Sequence, residues 1–324
     1  MQETFEVLVE RRMQGAARIV TLELAPVAGA ALPPWTAGAH IDVQSHDGAG
    51  RPVQRQYSLC GDEGDAHWCI AVLDAPGARG GARWLHAAAT QGRRLRVSAP
   101  RNNFRLHDGS APALLVAGGI GITPILAMAR ALHRRGVHFH LHYYARSAAS
   151  AVFLQALAEA PFAAQATVSL DEAPAAERQP ISRIFDGAVR GTQLYVCGPF
   201  GFMDAVTREA TQRGLAPTDI HRELFASVEP ETVSENRSFE LEIRSSGQVV
   251  TVGPDMTAVD ALARAGIEVV VSCEQGLCGS CLTRVVDGLP EHRDQFLLPE
   301  EQARNDCFTP CCSRARTGRL VLDL

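Results

Sequence analysis

The stretch that most limits what this chain can fold into is S-C-E-Q-G-L-C-G-S-C-L, residues 272–282. Cys273, Cys278 and Cys281 follow a C-x4-C-x2-C spacing. With that spacing one loop supplies three of the four thiolates that a two-iron cluster needs, and the fourth comes from farther along the chain. Gly276 and Gly279 stand between the ligands. There a positive φ lets backbone N–H groups turn towards the sulfurs and favour the reduced, more negative state. A tetrahedral zinc site prefers two C-x2-C pairs, and only one is clear here. Unliganded thiols spaced by glycine on a polar loop would be open to oxidation. Spacing alone leaves the fourth ligand open among Cys307, Cys311 and Cys312, all just before the last strand-like run, R-L-V-L-D-L at 319–324.

Residues 235–324 resemble a plant-type ferredoxin domain. The C-terminal C-x-S-R-A string of such domains is matched by Cys311, Ser313, Arg314 and Ala315. The resemblance implies that Cys311 completes the set with Cys273, Cys278 and Cys281, that Cys312 is a variable neighbour, and that Cys307 is a bystander. A ferredoxin domain is an electron port, so the rest of the chain should hold a donor.

Composition narrows the search. A chain of 324 residues has room for two or three domains. Its hydrophobic share of 46% and charged share of 21% are those of a globular protein. No apolar run is long enough for a membrane span, and a net charge of −5 argues against nucleic acid as the main partner. The N-terminal M-Q-E-T-F-E-V-L-V-E-R-R lacks the basic-then-apolar order of a secretory signal. The nine cysteines, an odd number, do not suit a secreted disulfide scaffold. A cytoplasmic protein with no membrane or nucleic-acid partner is expected.

Residues 5–105 carry short alternating apolar runs separated by Gly, Pro and Asp turns, the pattern of a small antiparallel β-barrel. Within it lies R-Q-Y-S-L, residues 55–59. Arg55 can pair with a phosphate, Tyr57 can lie against an aromatic ring, and Ser58 can hydrogen-bond a ring edge. Downstream, P-G-A-R-G-G-A-R-W-L-H (76–86) places Gly80 and Gly81 before a helical start, so that free N–H groups and the cations Arg79 and Arg83 suit a phosphate. The R-x-Y-S pattern resembles the flavin motif of the ferredoxin–NADP reductase superfamily. The glycine loop is similar to the G-R-G-G-S loop that holds the FMN phosphate in phthalate dioxygenase reductase and its relatives, with Ala82 in place of the serine. P-R-N-N-F, residues 100–104, reads as an interdomain junction.

Near residue 112 the rhythm changes to strand, glycine turn and helix: A-L-L-V-A-G-G-I-G-I-T-P-I-L. Gly118, Gly119 and Gly121 permit close approach of a pyrophosphate, and Thr123 and Pro124 open the helix. The string is not G-x-G-x-x-G. It resembles the G-G-I-G-[IV]-T-P form of the pyridine-nucleotide domain of ferredoxin reductases. Further strands alternate with helices, which indicates a parallel sheet whose ligand sits at the carboxyl ends of the strands. Those ends carry Arg146 and Ser147, Asp171, and Cys197-Gly198-Pro199. In the resembling family C-G-P lies beside the nicotinamide, and the Phe of an H-x-E-x-F segment, here Phe225, lies near the flavin. The H-F-H-L-H run at 138–142 reads as packing or surface rather than a metal site.

The expected organisation is multidomain: an FMN-binding antiparallel β-barrel (1–106), an NAD-binding α/β parallel-sheet domain (107–228), a polar linker (229–237), and an α+β plant-type ferredoxin domain (238–324). This order resembles the phthalate dioxygenase reductase family, which includes vanillate demethylase reductases. The resemblance implies FMN, a [2Fe-2S] cluster and NADH, and a catalytic set of Ser58, Cys197 and Phe225. It also implies electron delivery to a separate Rieske-type terminal oxygenase acting on an aromatic acid. The alternatives are a stand-alone flavin reductase and a cluster-based redox sensor.

Overall fold

Alternation of apolar and polar side chains builds the first sheet: Val7 and Val9 on one strand, and Ile41 and Val43 on another, point inward and are fully buried. In a computed structural model that describes residues 4–27, 30–48, 50, 52–75, 80–225, 236–271, 276, 279–297 and 299–324, these strands are β1 (Thr4–Ala16), β2 (Ile19–Pro26), β3 (Ala39–His46), β4 (Pro52–Ser58), β5 (Trp68–Leu73), then after helix α1 (Gly81–Ala88), β6 (Arg94–Ser98) and β7 (Arg101–Asn102). They pair antiparallel in the order β4-β3-β6-β1-β2-β5, with β7 on β3. A bridge between Leu59 and Ile70 joins the end of β4 to β5, so the sheet closes on itself. Asp42, between Ile41 and Val43 and so on the opposite face of β3, is buried and accepts a 2.7 Å bond from Arg101 and a further bond from Gln54.

A parallel sheet follows: β8 (Ala113–Gly118), helix α2 (Ile122–Arg134), β9 (Phe139–Ala145), helix α3 (Leu154–Ala158), β10 (Ala166–Leu170), β11 (Gln193–Cys197), helix α4 (Phe200–Gln212) and β12 (Ile220–Glu223). The strand order is β10-β9-β8-β11-β12. Chain direction across the sheet therefore reverses between β8 and β11, the switch point where ligands of such sheets bind. Barrel and parallel sheet share one continuous core. Phe104, from the P-R-N-N-F junction, packs edge-on against Tyr195 of β11 at 5.9 Å between ring centres.

The chain divides into two compact units, residues 2–225 and 226–324. The second contains β13 (Phe239–Ile243), β14 (Val249–Val252), helix α5 (Ala258–Arg264), β15 (Thr283–Asp287), β16 (Pro290–Glu291), helix α6 (Pro299–Arg304), β17 (Cys307–Phe308), β18 (Arg314–Ala315) and β19 (Arg319–Leu322). The sheet order is β14-β13-β19-β15-β17, with β19 parallel to β13, and α5 packs on it. Thr257 and Asp260 form a capping box that starts α5. Arg314 is buried and donates to the carbonyls of Met256, Arg237 and Gly253 while its guanidinium lies over the Phe239 ring. That explains why an arginine suits this place in the C-x-S-R-A string: one planar cation ties three backbone segments together beside the cysteine turn.

Candidate active site

The flavin motif occupies β4 and its exit. Arg55 and Tyr57 share one strand face by the two-residue period, and burial pushes the Tyr57 hydroxyl up, against the pull of Arg55. Next to that face stands the N-terminus of α1. Gly80 has φ of 100°, and no side chain caps the helix. A Cβ on Gly81 would lie 2.8 Å from Ser45 Oγ and 3.0 Å from Arg55 Cγ. The first turn contains no acidic residue. An uncapped helix start, a cation, a buried hydroxyl and a glycine whose missing side chain lets both of them approach the helix start together fit the phosphate end of a flavin nucleotide. Ala82 has no hydroxyl to offer here, and Ser45 lies beside the same helix start. Arg79 lies outside the described residues; Arg83 is exposed and 3.9 Å from Asp74.

The nucleotide motifs meet at the switch point. Gly118 ends β8, Gly119 takes φ of 56°, and Gly121 leads into α2. A Cβ on Gly118 would strike the Phe202 ring, and one on Gly121 would run into the backbone of Cys197 and Gly198. The glycines thus let the G-G-I-G turn and the C-G-P turn touch. Thr123 is buried, and its hydroxyl donates to the Ile120 carbonyl at 3.0 Å, closing the turn. Pro199 precedes α4 and is exposed. At the end of β9 the Arg146 side chain is exposed, and the Ser147 hydroxyl accepts from Ser150 N. Replacing Gly121 by alanine is expected to push the two turns apart, with a loss of about 2 kcal/mol or more. The unfolding temperature should fall by several degrees and affinity for a pyridine nucleotide should fall with it; thermal melts and nucleotide titration measure both.

Three side chains far apart in sequence converge where the barrel meets this sheet. Parallel pairing sets Cys197 opposite Glu223. Ser58, at the end of β4, donates to Glu223 Oε2 at 3.4 Å. Ser58 and Cys197 are buried. Burial raises the Glu223 carboxyl to about 8, partly opposed by the Ser58 hydroxyl. Burial and the Glu223 carboxyl push the Cys197 thiol well up. At neutral pH all three groups are therefore uncharged hydrogen-bonding groups. Sequence reasoning singled out Ser58 and Cys197 and passed over Glu223. The signal available was an acid inside H-R-E-L-F, at the carboxyl end of a strand. Phe225 follows at 40% exposure, free to be covered or to cover.

The cluster loop is described in part. Cys273 and Cys278 lie outside the described residues. Cys281 and Cys311 are 4% and 5% exposed, and Gly276 and Gly279 have φ of 72° and 67°. The turn carrying Cys311 is held by Ser313 N and Cys312 N donating to the Thr309 carbonyl and by Ser313 Oγ within 3.3 Å of the buried Asp294. Cys312 Sγ is engaged instead by the Thr309 hydroxyl at 3.3 Å. Two buried thiols and two left-handed glycines fit the cluster that the C-x4-C-x2-C spacing predicts. Among the described residues no three His, Cys, Asp or Glu side chains converge as metal ligands. The His140 and His142 rings lie tilted against each other at 4.5 Å, His140 meets Thr167 Oγ1, and burial lowers His142 to about 4.

Comparison with known proteins agrees with this layout. The vanillate O-demethylase oxidoreductase of Pseudomonas sp. (strain HR199 / DSM 7063) is 46% identical over 320 residues, spanning 98% of this chain and 99% of its own. Phthalate dioxygenase reductase, described as a modular structure for electron transfer from pyridine nucleotides to [2Fe-2S], superposes with a TM-score of 0.74 at 31% identity, over 99% of this chain and 98% of its own. The chain belongs to the phthalate dioxygenase reductase family. An intact type IV self-sufficient cytochrome P450 monooxygenase matches 99% of the chain with a TM-score of 0.82 at 36% identity, and this chain spans 41% of that protein's length. Residues 241–316 match the 2Fe-2S iron-sulfur cluster binding domain, and residues 94–220 match the N-terminal domain of the dimethylamine monooxygenase subunit DmmA-like family. Like its relatives in the phthalate dioxygenase reductase family, the chain is an electron-transfer oxidoreductase with a flavin-reductase-type fold and a [2Fe-2S] domain. No helix among the described residues is long and apolar enough to cross a membrane.

Proposed function

We propose that this protein is the NADH-dependent, FMN-containing reductase of a two-component oxygenase, located in the cytoplasm. It would take an electron pair from NADH and deliver single electrons through a [2Fe-2S] cluster to a separate Rieske-type terminal oxygenase acting on an aromatic acid. The observation that carries this reading is the meeting of Ser58 from the barrel with Glu223 and Cys197 from the nucleotide sheet. A bound flavin supplies the conversion from paired to single electrons.

The chain's own residues do the positioning. Arg55, Ser45 and the N-terminus of α1 hold a phosphate, and Tyr57 offers its ring as a wall for a flat aromatic system. The Gly118–Gly121 turn and the start of α2 receive a pyrophosphate. Ser58, Cys197 and Glu223 line the junction where the nicotinamide must arrive, as neutral groups that add no charge at neutral pH. Phe225 supplies a ring next to that junction, beside the path a nicotinamide would take. Cys273, Cys278, Cys281 and Cys311 hold the cluster.

The test is anaerobic mixing of the purified protein with NADH, followed by absorbance. Flavin and cluster bands should both bleach, and the flavin released on denaturation should have the mass of FMN. Full flavin reduction with an untouched cluster contradicts the route.

A further inference from the structure

The barrel closes at a seam that carries a thiol pair. Cys60 follows the Leu59–Ile70 bridge on one side, and Cys69 precedes it on the other. Their backbones are joined by Cys60 N donating to the Cys69 carbonyl at 2.9 Å, and their Sγ atoms lie 3.5 Å apart. Both cysteines are free thiols. Cys60 is 1% exposed, whereas Cys69 is partly exposed and lines a surface depression of about 240 Å³ with Glu23, Asp65, Ala66, His67 and Trp68. Cys69 is thus the more exposed residue of the pair, and the Cys60 sulfur lies next to its own.

We propose that Cys60 and Cys69 form a peroxide-oxidisable dithiol at the barrel seam, whose closure to a disulfide slows the entry of electrons from NADH. The arrangement separates the roles. Cys60 Sγ donates to Cys69 Sγ. That bond and the nearby Arg130 cation lower the Cys69 thiol, against burial, Glu23 and Asp65. The same pairing, with burial, raises Cys60. A thiol lowered by its neighbour, with a raised thiol beside it, is the arrangement of an attacking and a resolving cysteine. The Cys69 thiolate attacks hydrogen peroxide: an S–O bond forms, the O–O bond breaks, and the departing hydroxide takes a proton and becomes water. The Cys60 sulfur then attacks the sulfenic sulfur of Cys69, its proton joining the expelled hydroxide as a second water. Two thiols and one peroxide become one disulfide and two waters.

Closure has a route to the site. A disulfide requires an S–S distance of about 2.05 Å, so the two sulfurs, 3.5 Å apart, must approach by more than an ångström and draw on the strands that carry them. Ser58 lies two residues before Cys60 and is the barrel's link to Glu223. The Cys60 carbonyl accepts from Arg130 of α2 at 2.6 Å, and the Cys60–Cys69 turn is tied to α2 by Arg134 through Asp62 and Glu63. Glu63 also accepts from Ala37 N. With the turn anchored on both sides, the displacement falls on the strand end that carries Ser58.

The test treats the holoprotein with hydrogen peroxide, blocks remaining thiols with an alkylating agent, and maps peptides by mass spectrometry. A Cys60–Cys69 cross-link that dithiothreitol reverses is expected. With it, the rate of flavin reduction by NADH in stopped flow should fall on the order of tenfold, since a displacement near 1 Å at a reacting site costs that much or more. Peroxide should leave the rate of Cys60→Ser and of Cys69→Ser unslowed, which separates the effect from damage to the cluster. Absence of the cross-link in the parent protein overturns the proposal, as does a cross-linked protein that accepts electrons at full speed. The kinetic readout rests on the flavin reading and the cross-link does not: failure of untreated protein to react with NADH would sink the former alone.

Discussion

Replacing Cys311 by serine is expected to abolish NADH-driven reduction of one-electron acceptors such as cytochrome c, while flavin reduction by NADH continues at close to the parent rate. Serine lacks the thiolate that iron prefers, so the variant should emerge with little iron and sulfide and without the visible absorption of the cluster. Cys312→Ser should keep both on the proposed ligand set, in which Cys311 and not Cys312 is the fourth thiolate. The pair of variants settles the fourth ligand, which spacing left open. Metal content, visible spectra and cytochrome c assays read the outcome. A Cys311→Ser protein with full cluster absorption would move the ligand to a neighbour. Cytochrome c reduction surviving loss of the cluster would favour a stand-alone flavin reductase.

Glu223 governs a second large effect. Its carboxyl is raised to about 8 by burial, so at pH 7 it is a neutral acid beside Ser58. As pH rises through that value it ionises, and a carboxylate claims the Ser58 proton more strongly than a carboxylic acid does. Ser58 is then less free to donate to a ligand, and a negative charge appears in the junction. Flavin reduction by NADH should therefore fall as pH rises through about 8. Glu223→Gln, neutral at every pH, should lack that alkaline limb. Glu223→Ala leaves Ser58 without its partner and should lower the rate by roughly a hundredfold. Stability follows with a defined sign. The folded state holds this proton more tightly than the unfolded chain, whose ordinary value is 4.5. The stabilisation is complete below that value and is lost as pH rises from it through about 8. The urea midpoint of Glu223→Gln, relative to the parent, should thus rise across the same window.

The motifs in which local backbone chemistry does the work were legible in the sequence. G-G-I-G-I-T-P needs glycine because two turns touch: a Cβ on Gly121 would run into the Cys197 and Gly198 backbone, and one on Gly118 into the Phe202 ring. The barrel followed from period-two alternation and the parallel sheet from strand–helix alternation, while the ferredoxin-like domain followed from the cysteine spacing and the resemblance of its C-x-S-R-A string. What was hidden depends on register between distant strands. Glu223 matters because β12 pairs with β11 in the frame that sets it opposite Cys197, and because a barrel residue 165 positions away reaches it. The Cys60–Cys69 contact was equally invisible, since it exists only where the sheet closes on itself. Ser45 lies inside an ordinary strand pattern, and only its close approach to Gly81 marks it.

The shared core of barrel and parallel sheet has an evolutionary consequence. Because Phe104 and Tyr195 interlock across the junction, a recombination breakpoint near residue 106 would tear a single hydrophobic interior. One within 226–235 separates two bodies that each own a core. Lineages that shuffle this reductase should thus inherit the first 225 residues as one cassette and exchange the iron–sulfur module freely, in either order along the gene.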